Sequence, residues 1–256
     1  MRPDLDAVGR ALAAAWADET ASVVVPELSL ADGFAIQAAV IGALDSPVVG
    51  YRIVASSERA RGRLGIDGPV VGVVVEKALT APDATPAVAP RIVEAEFAVT
   101  VDFRIDEPST PALIRTWHLS LDLPRSRITD DWGTLSAGQL VADACLLGDV
   151  MVGPPVDVDT TDSDGVLVVT GRDTQEEHPM PAPHPDTAAE YLALVKDAIM
   201  AGTLPPPATA TPFVQLGTET PIRLGDTATA ARLTHPVLGH LDLPISIATN
   251  LTGDHA

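Results

Sequence analysis

Residues 91–103 read RIVEAEFAVTVDF. The stretch is rich in β-branched and aromatic residues, and apolar and polar positions alternate along it, which is typical of a β-strand. Because successive side chains of a strand point to opposite faces, the apolar odd-numbered positions from 93 to 99 share one face, which we expect to lie against a core. Glu94 and Glu96 then stand side by side on the other face.

The two glutamates need compensation for their charges. Carboxylates this close repel each other, so Glu94 and Glu96 require water, an arginine or a metal ion between them. A hard divalent cation such as Mg²⁺ suits them because it prefers oxygen ligands. Residues 116–123 also alternate, which places His118 and Asp122 together on one face. Asp122 is therefore a candidate third ligand, with His118 expected nearby; the alternative is that both strands simply present polar faces to solvent.

Helical patterns lie on either side of this β-rich centre. Apolar residues at helical spacing predict helices over residues 4–18, 29–44, 135–148 and 187–201, with short strands between and after them. An acidic stretch predicts a hairpin whose turn is Asp162–Gly165. The predicted fold class is α+β, with N-terminal helices packed on a β-rich body. We divide the chain into a helical segment, 1–48, and a β-rich body, 49–256, which we expect to form one structural unit.

The composition limits the partners that the protein can have. The 256 residues include 16 lysines and arginines and 35 aspartates and glutamates, so the formal net charge is −19. Nucleic acids and anionic membranes need clustered cations, and neither is expected as a partner. Cys145 is the only cysteine, which excludes an internal disulfide. No apolar run has the length of a transmembrane helix, and the acidic N-terminus differs from a signal peptide, so we expect a cytoplasmic protein.

Several short motifs follow one another along the chain. They are DGFAIQ (32–37), GYRIVASS (50–57), LGIDGPVVG (64–72), PRIVEAE (90–96), LDLPRSRITDDW (121–132), VADAC (141–145), LGTET (216–220), LGD (224–226) and VLGHLDLP (237–244). In these motifs and their order the sequence resembles the 2-keto-4-pentenoate hydratase family, within the fumarylacetoacetate hydrolase-like superfamily. The resemblance spans nearly the whole chain. It implies that the β-rich body is a mixed β-sandwich or roll of the fumarylacetoacetate hydrolase C-terminal-domain type.

The resemblance also implies an activity and a metal site. The two metal-binding glutamates of the family fall on Glu94 and Glu96, and its third carboxylate falls on Asp122. These residues would hold Mg²⁺ or Mn²⁺. The implied protein is a divalent-metal-dependent lyase, hydratase-like, decarboxylase-like or hydrolase-like, acting on a 2-oxo or 2-hydroxydienoate carboxylic acid through a metal-stabilised enolate. Members of the family are homo-oligomers, so a dimer or larger assembly is expected.

The chain departs from the family at the residue that would move protons. The family's lysine is replaced by Arg52, which stays charged and therefore binds a carboxylate but is a poor general base. We expect Arg52 to bind the substrate and take part in catalysis, with His118 handling the proton. By resemblance, Ser56, Ser126 and Thr218 are further substrate-binding residues.

Two other functions are compatible with the sequence. The same fold could serve as an isomerase or cyclase in a specialised biosynthetic pathway. Arg52, Val54 and Val70 favour this, because they replace polar or small residues of the family and suit a larger, more apolar substrate. A catalytically silent binding protein is favoured by the loss of the lysine. The retained carboxylate pair opposes that function, since an unused site has no physical reason to keep two adjacent buried charges.

Overall fold

A computed structural model of the chain describes residues 4–18, 21–82, 84–86, 92–130, 132–158, 163–217, 221–225 and 227–245. Its helices are α1 (Leu5–Ala17), α2 (Leu30–Leu44), α3 (Glu58–Leu64), α4 (Ala137–Ala142) and α5 (Pro185–Met200). Its strands are β1 (Val48–Val54), β2 (Val70–Val75), β3 (Ile92–Asp102), β4 (Leu113–Leu123), β5 (Asp149–Val152), β6 (Gly165–Gly171), β7 (Gln175–Met180), β8 (Phe213–Gln215), β9 (Ile222–Arg223), β10 (Ala228–His235) and β11 (Gly239–Pro244). The predicted α+β class is confirmed. Within the described residues, no helix has the length and apolar character needed to cross a bilayer.

Seven strands form one mixed sheet around β3. Its order is β2-β1-β8-β3-β4-β5, with β9 also paired to β3. Only the pairing of β1 with β8 is parallel among these strands. The pattern of alternation in 91–103 predicted the strand and its faces: the side chains of Val93, Phe97 and Val99 are buried in the core.

One edge of β3 is shared by two strands, β8 and β9. β8 pairs with residues 98–100, and β9 pairs with residues 92–93. Residues 94–96 lie between these two pairings, while β4 continues along their other edge. Glu94 and Glu96 therefore lie on β3 between the segments that pair with β9 and with β8.

A second sheet, in the order β11-β10-β6-β7, packs against β4 through β10 and β11. Between the sheets, the rings of Phe97 and His235 meet edge to face with centroids 5.5 Å apart.

The hairpin turn predicted at Asp162–Gly165 is wrong. The β6–β7 hairpin turns at residues 172–174, and Gly165 begins β6 opposite Met180; Asp162 lies outside the described residues. A Cβ added at 165 would lie 2.5 Å from Met180 Cε, the movable end of a side chain, and 3.1 Å from the carbonyl oxygen of Thr234.

The N-terminal helices pack on the β-rich body through α4. Ser29 caps α2, since its Oγ accepts the N–H of Asp32 at 3.1 Å. Helices α2 and α4 approach closely at two glycines: a Cβ on Gly33 would lie 2.4 Å from the carbonyl oxygen of Gly138. Helix α1 in turn packs against α2. The helical segment thus covers the body as a layer.

The helix predicted over 135–148 ends early, at Ala142. Ala144, Cys145 and Leu146 all have positive φ angles, between 47° and 62°. L-residues adopt this left-handed conformation rarely and at a cost of about 1–2 kcal/mol each. Periodicity could not reveal it, because small and apolar residues satisfy a helical pattern equally well. The left-handed turn brings Cys145 next to Gly72 of β2.

Candidate active site

Three carboxylates meet where β3 pairs with β4. The register sets Glu94 opposite Asp122 and Glu96 opposite Ser120. Glu94, Glu96 and Asp122 each offer a carboxylate oxygen, and these three oxygens lie within 4.8 Å of one another. We call these residues the carboxylate cluster. Sequence alternation placed them on shared faces, and the strand register brings them together.

The carboxylate cluster is buried, so the alternative of a solvated polar face does not hold. Glu96 is 2% exposed and Asp122 is fully buried. Glu94 is the most open, with 18% of its side chain exposed. Among the described residues, Glu96 Oε2 and Asp122 Oδ1 have no hydrogen-bond partner. Buried polar atoms are normally satisfied, and unsatisfied ones point to a missing group such as an ion.

Arg52 reaches the carboxylate cluster from β1. Its Nη2 donates a hydrogen bond to Asp122 Oδ2 and another, at 3.3 Å, to Glu94 Oε2. The Arg52 side chain is 2% exposed, and within the described part of the chain its Nε and Nη1 have no partner. Burial acts to lower the pKa of Arg52, but the neighbouring carboxylates outweigh it and the pKa is raised. Arg52 therefore stays charged and keeps donors for an anionic ligand.

Gly72 of β2 makes the space that Arg52 occupies. The two residues are paired in the sheet. A Cβ at position 72 would lie 2.9 Å from Arg52 Cγ and 2.8 Å from Cys145 Cβ. Both distances are too short for carbon atoms in contact, so only glycine leaves room for the arginine and the left-handed turn together.

We expect Gly72→Ala to lower the free energy of unfolding by about 1–3 kcal/mol, because its methyl group overpacks the contact with Arg52 and Cys145. Urea unfolding measures this difference. Gly42→Ala is the matched control: Gly42 lies on the exposed side of α2 with no atom within 4 Å of an added Cβ. That variant should gain up to about 1 kcal/mol from helix propensity. Equal stability of Gly72→Ala and the parent protein would contradict the close packing of Arg52.

Burial and mutual repulsion raise the pKa values of the carboxylate cluster. The pKa of Glu94 is raised to about 8, first by burial and then by the charge of Asp122, against the attraction of Arg52. Burial, followed by the charges of Asp122 and Glu94, holds the pKa of Glu96 well above its usual value. Burial also raises the pKa of Asp122, although Arg52 opposes this. Without a cation, the carboxylate cluster therefore retains protons that surface carboxylates would release.

Sequence reasoning missed Gln215 of β8. In the sheet it lies between Arg52 on β1 and Ala98 on β3. It is fully buried, its Nε2 donates to Ser120 Oγ at 2.9 Å, and its Oε1 has no partner among the described residues. The available signal was a single polar residue in the otherwise apolar stretch FVQL. Gln215 adds an amide to the polar surroundings of the carboxylate cluster.

His118 shares the predicted face but lies further along β4. It is paired with Ala98, four residues from Asp122, which is about 13 Å at 3.3 Å per residue. Its Nδ1 donates to the carbonyl oxygen of Gly153 at 2.9 Å, and its Nε2 lies 2.7 Å from Thr100 Oγ1. Burial lowers the pKa of His118. Both ring nitrogens are thus engaged away from the carboxylate cluster, and its role with protons stays a prediction.

A cavity of about 540 Å³ opens beside Glu96. We call it the chamber. Its lining includes Ser56, Ala95–Phe97, Leu167, Leu216–Gly217, Tyr191 and the segment 178–184, which comprises the end of β7 and the loop before α5. The volume suits a small molecule. Glu96 is the one member of the carboxylate cluster among the described residues that line the chamber.

The three predicted hydroxyl residues have different positions. Ser56 follows β1 and lines the chamber. Ser126 lies in the loop after β4, where its Oγ accepts the N–H of Ile128 at 3.2 Å. Thr218 lies outside the described residues. The structure thus brings only Ser56 to the chamber, and the substrate-binding roles of all three stay predictions.

No family model and no curated protein matches the sequence. Solved structures do match it. 4-Oxalocrotonate decarboxylase from Pseudomonas putida G7, complexed with magnesium and adipate, gives a TM-score of 0.74 at 16% identity, over 95% of this chain and 98% of that chain. The chain has the fold of that decarboxylase. The same enzyme complexed with calcium and acetate gives 0.73 at 15% identity, with the same coverage.

A further structure, 2-keto-3-deoxyarabinonate dehydratase, gives a TM-score of 0.50 at 13% identity, over 78% of this chain and 74% of that chain. At these identities the comparisons establish the fold. The mixed, β-rich roll that the motifs implied is confirmed as a fold, because it is shared with the decarboxylase.

The residues of the carboxylate cluster fit a divalent cation. They supply three hard oxygen donors, which Mg²⁺ and similar ions prefer. Two of their buried oxygens have no partner among the described residues, and Arg52 offsets only one of three carboxylate charges when all are ionised. A divalent cation would satisfy both the oxygens and the excess charge.

Proposed function

We propose that this protein is a divalent-metal-dependent lyase or hydratase-like enzyme that acts on a 2-oxo or 2-hydroxydienoate carboxylic acid. The observation that carries the proposal is the buried carboxylate cluster: two of its oxygens have no partner among the described residues, and one of its members, Glu96, lines the chamber. The decarboxylase that shares the fold is complexed with magnesium and adipate, a carboxylic acid, which supports the choice of ion and ligand class.

In this proposal the carboxylate cluster binds the metal ion and Arg52 binds the substrate. Glu94, Glu96 and Asp122 would hold Mg²⁺ or Mn²⁺ through their carboxylate oxygens. Such an ion, when bound, supplies electrostatic stabilisation of the negative charge that develops as a 2-oxo acid becomes an enolate. Arg52 would bind the substrate's carboxylate with the N–H groups that have no other partner in the described structure, since its planar guanidinium matches carboxylate geometry.

We assign no step of this mechanism to His118, whose role with protons stays a prediction, because its Nδ1 donates to the Gly153 carbonyl oxygen and its Nε2 lies beside Thr100 Oγ1. A general acid or base must come within hydrogen-bond reach of the proton it moves. The polar side chains that line the chamber, Ser56, His178 and Tyr191, are the proton carriers to test in its place.

Turnover assays with added metal test the proposal. Incubation with 2-oxo and 2-hydroxydienoate acids and Mg²⁺, followed by the dienol absorbance, should show turnover that stops on chelation and returns with excess Mg²⁺. Glu96→Gln should abolish that turnover, whereas Glu107→Gln, at a carboxylate that is 55% exposed, should leave it unchanged. Turnover that persists in chelator would contradict a metal-dependent mechanism.

An isomerase or cyclase on the same fold is the second candidate. The apolar part of the chamber lining, which includes Phe97, Leu167 and Met180, favours it because a carbon skeleton could be held there while it rearranges. Mass spectrometry of the product separates the candidates. A hydratase adds the mass of water and a decarboxylase removes that of carbon dioxide, whereas an isomerase or an isomerising cyclase leaves the mass unchanged.

A further inference from the structure

Two long polar side chains cross β3 and end on β4. Arg52 of β1 reaches Asp122, and Gln215 of β8 reaches Ser120, where its Nε2 donates to Oγ at 2.9 Å. Strand β8 lies between β1 and β3, and the residue of β3 that pairs with Gln215 is the small Ala98. Ser120 and Asp122 are two residues apart on one face of β4, about 7 Å along the strand. The ends of the two side chains are therefore neighbours.

The hydrogen bonds of Ser120 fix the orientation of the Gln215 amide. A serine hydroxyl has a single proton, and Ser120 Oγ donates it to the carbonyl oxygen of Met151 at 3.0 Å. Ser120 Oγ can therefore only accept from Gln215, whose NH₂ group must point towards it. The reverse orientation would place two oxygens 2.9 Å apart with no proton between them. Oε1 of Gln215 is thus held as an acceptor for some other group.

Oε1 of Gln215 is a buried acceptor that lacks a donor. The side chain is fully buried, and within the part of the chain that the structure describes no group donates to this oxygen. Arg52, which pairs with Gln215 in the sheet, has the opposite surplus, since its Nε and Nη1 find no acceptor among the same residues. Buried polar atoms are normally satisfied, so both point to a missing group. A carboxylate that carries a neighbouring hydroxyl would accept from the arginine and donate to the glutamine.

We propose that Gln215 is a ligand-binding residue whose Oε1 accepts a hydrogen bond from the 2-hydroxyl group of a bound enol or 2-hydroxy acid, and that Ser120 positions the amide for this contact. The inference rests on the proposed function, because the carboxylate of such an acid would bind to Arg52. A 2-oxo group has no proton to donate, so its oxygen would face Oε1 as a second acceptor. Gln215 therefore favours the hydroxyl form of an acid over its oxo form.

Two acids that differ only at carbon 2 test the contact. Calorimetric titration with Mg²⁺ present measures the Kd of 2-oxobutanoate and of each enantiomer of 2-hydroxybutanoate. The selectivity is the Kd of 2-oxobutanoate divided by that of the enantiomer that binds more tightly. In Gln215→Leu, which keeps a similar size and removes the acceptor, the selectivity should fall at least about tenfold because 2-hydroxybutanoate loses its partner. A ratio of two affinities is insensitive to a fraction of unfolded protein.

Ser120→Ala tests the orientation of the amide. Without the hydroxyl, Gln215 is free to turn its NH₂ group to the ligand. 2-Oxobutanoate should then bind more tightly, and the selectivity should fall by about threefold or more while 2-hydroxybutanoate keeps its affinity.

Gln139→Leu is the matched control. Gln139 is also a buried glutamine, but both ends of its amide are bonded: Oε1 accepts the N–H of Ser136 at 2.9 Å, and Nε2 donates to the carbonyl oxygen of Val25 at 2.8 Å. This variant should lose stability and keep the selectivity of the parent protein.

The outcomes separate this inference from the proposed function. If Gln215→Leu has the selectivity of the parent protein, Gln215 does not contact the ligand, while a metal-dependent 2-oxo acid site still holds. An unchanged selectivity in Ser120→Ala would overturn the positioning role of Ser120. If neither acid binds to the parent protein although Mg²⁺ alone does, the proposed substrate class fails and the role of Gln215 with it. A fall in Gln215→Leu and Ser120→Ala, but not in Gln139→Leu, would support the inference.

Discussion

A Glu94→Gln/Glu96→Gln double variant is expected to lose the binding of Mg²⁺ measured by calorimetry. The change replaces two of the three charged oxygen donors by amides, which are much weaker ligands for a hard cation. The parent protein should also gain stability from the ion by mass action, about 2.7 kcal/mol at an ion concentration 100 times the Kd. The double variant should gain none. An unchanged titration would exclude these glutamates as ligands.

In chelator the same variant should be at least as stable as the parent protein. Gln has the shape of Glu, and its neutral amide removes repulsion within the carboxylate cluster. The folded chain raises the pKa of Glu94 to about 8, whereas an unfolded chain releases that proton near 4.3. The parent protein therefore loses this contribution to stability as pH rises from about 4 to about 8, and the variant should lose less. Glu107→Gln, at an exposed carboxylate, is the matched control and should follow the parent curve.

Arg52→Met should lower the free energy of unfolding in chelator by about 3–5 kcal/mol. Methionine keeps an unbranched apolar stem but removes the cation that contacts Glu94 and Asp122, and breaking a buried ion pair from one side leaves an uncompensated charge. Added Mg²⁺ should recover much of the loss, because the ion would then compensate the carboxylates. Mg²⁺ should also bind to Arg52→Met more tightly than to the parent protein, since a positive charge beside the site has been removed.

Arg52→Lys is the control for the arginine. It keeps the positive charge, so it should lose less stability than Arg52→Met. Its single ammonium replaces the planar guanidinium, so it should bind 2-oxo acids more weakly than the parent protein. Thermal unfolding with and without Mg²⁺ measures the stability of the parent protein, Arg52→Met and Arg52→Lys under the same conditions. If Arg52→Met matched the parent protein in chelator, the ion pairs of Arg52 would carry no net stabilisation.

The strands around the site were predictable because period-two alternation is a local signal. It gave β3 and β4 nearly to their ends and put Glu94, Glu96 and Asp122 on the faces that they occupy. The order of the motifs along the chain predicted the fold, and the match to the decarboxylase confirms that fold. Alternation also predicted the right face for His118. It could not predict how far His118 lies from Asp122 along β4, or that neighbouring residues bond to its ring nitrogens.

What the sequence could not reveal depends on contacts between distant segments. The left-handed turn at 144–146 has no glycine or other local marker, and it contacts Gly72, more than seventy positions earlier. Gln215 belongs to the site because β8 is inserted between β1 and β3. Gly165 resembled a turn residue, but it lies in β6, where it pairs with Met180 of β7. The chamber likewise forms only when the segment 178–184 folds over β3.

The segment 178–184 in the wall of the chamber contains three prolines, which has a practical consequence for spectroscopy. Pro179, Pro181 and Pro183 carry no amide proton, so amide hydrogen exchange and ¹H–¹⁵N spectra contain no signal from these positions. Met180 stands among them, lines the chamber and is one of only four methionines in the chain. Labelling the protein with ¹³C at its methionine methyl groups would give a sparse spectrum in which the Met180 resonance reports directly on what enters the chamber.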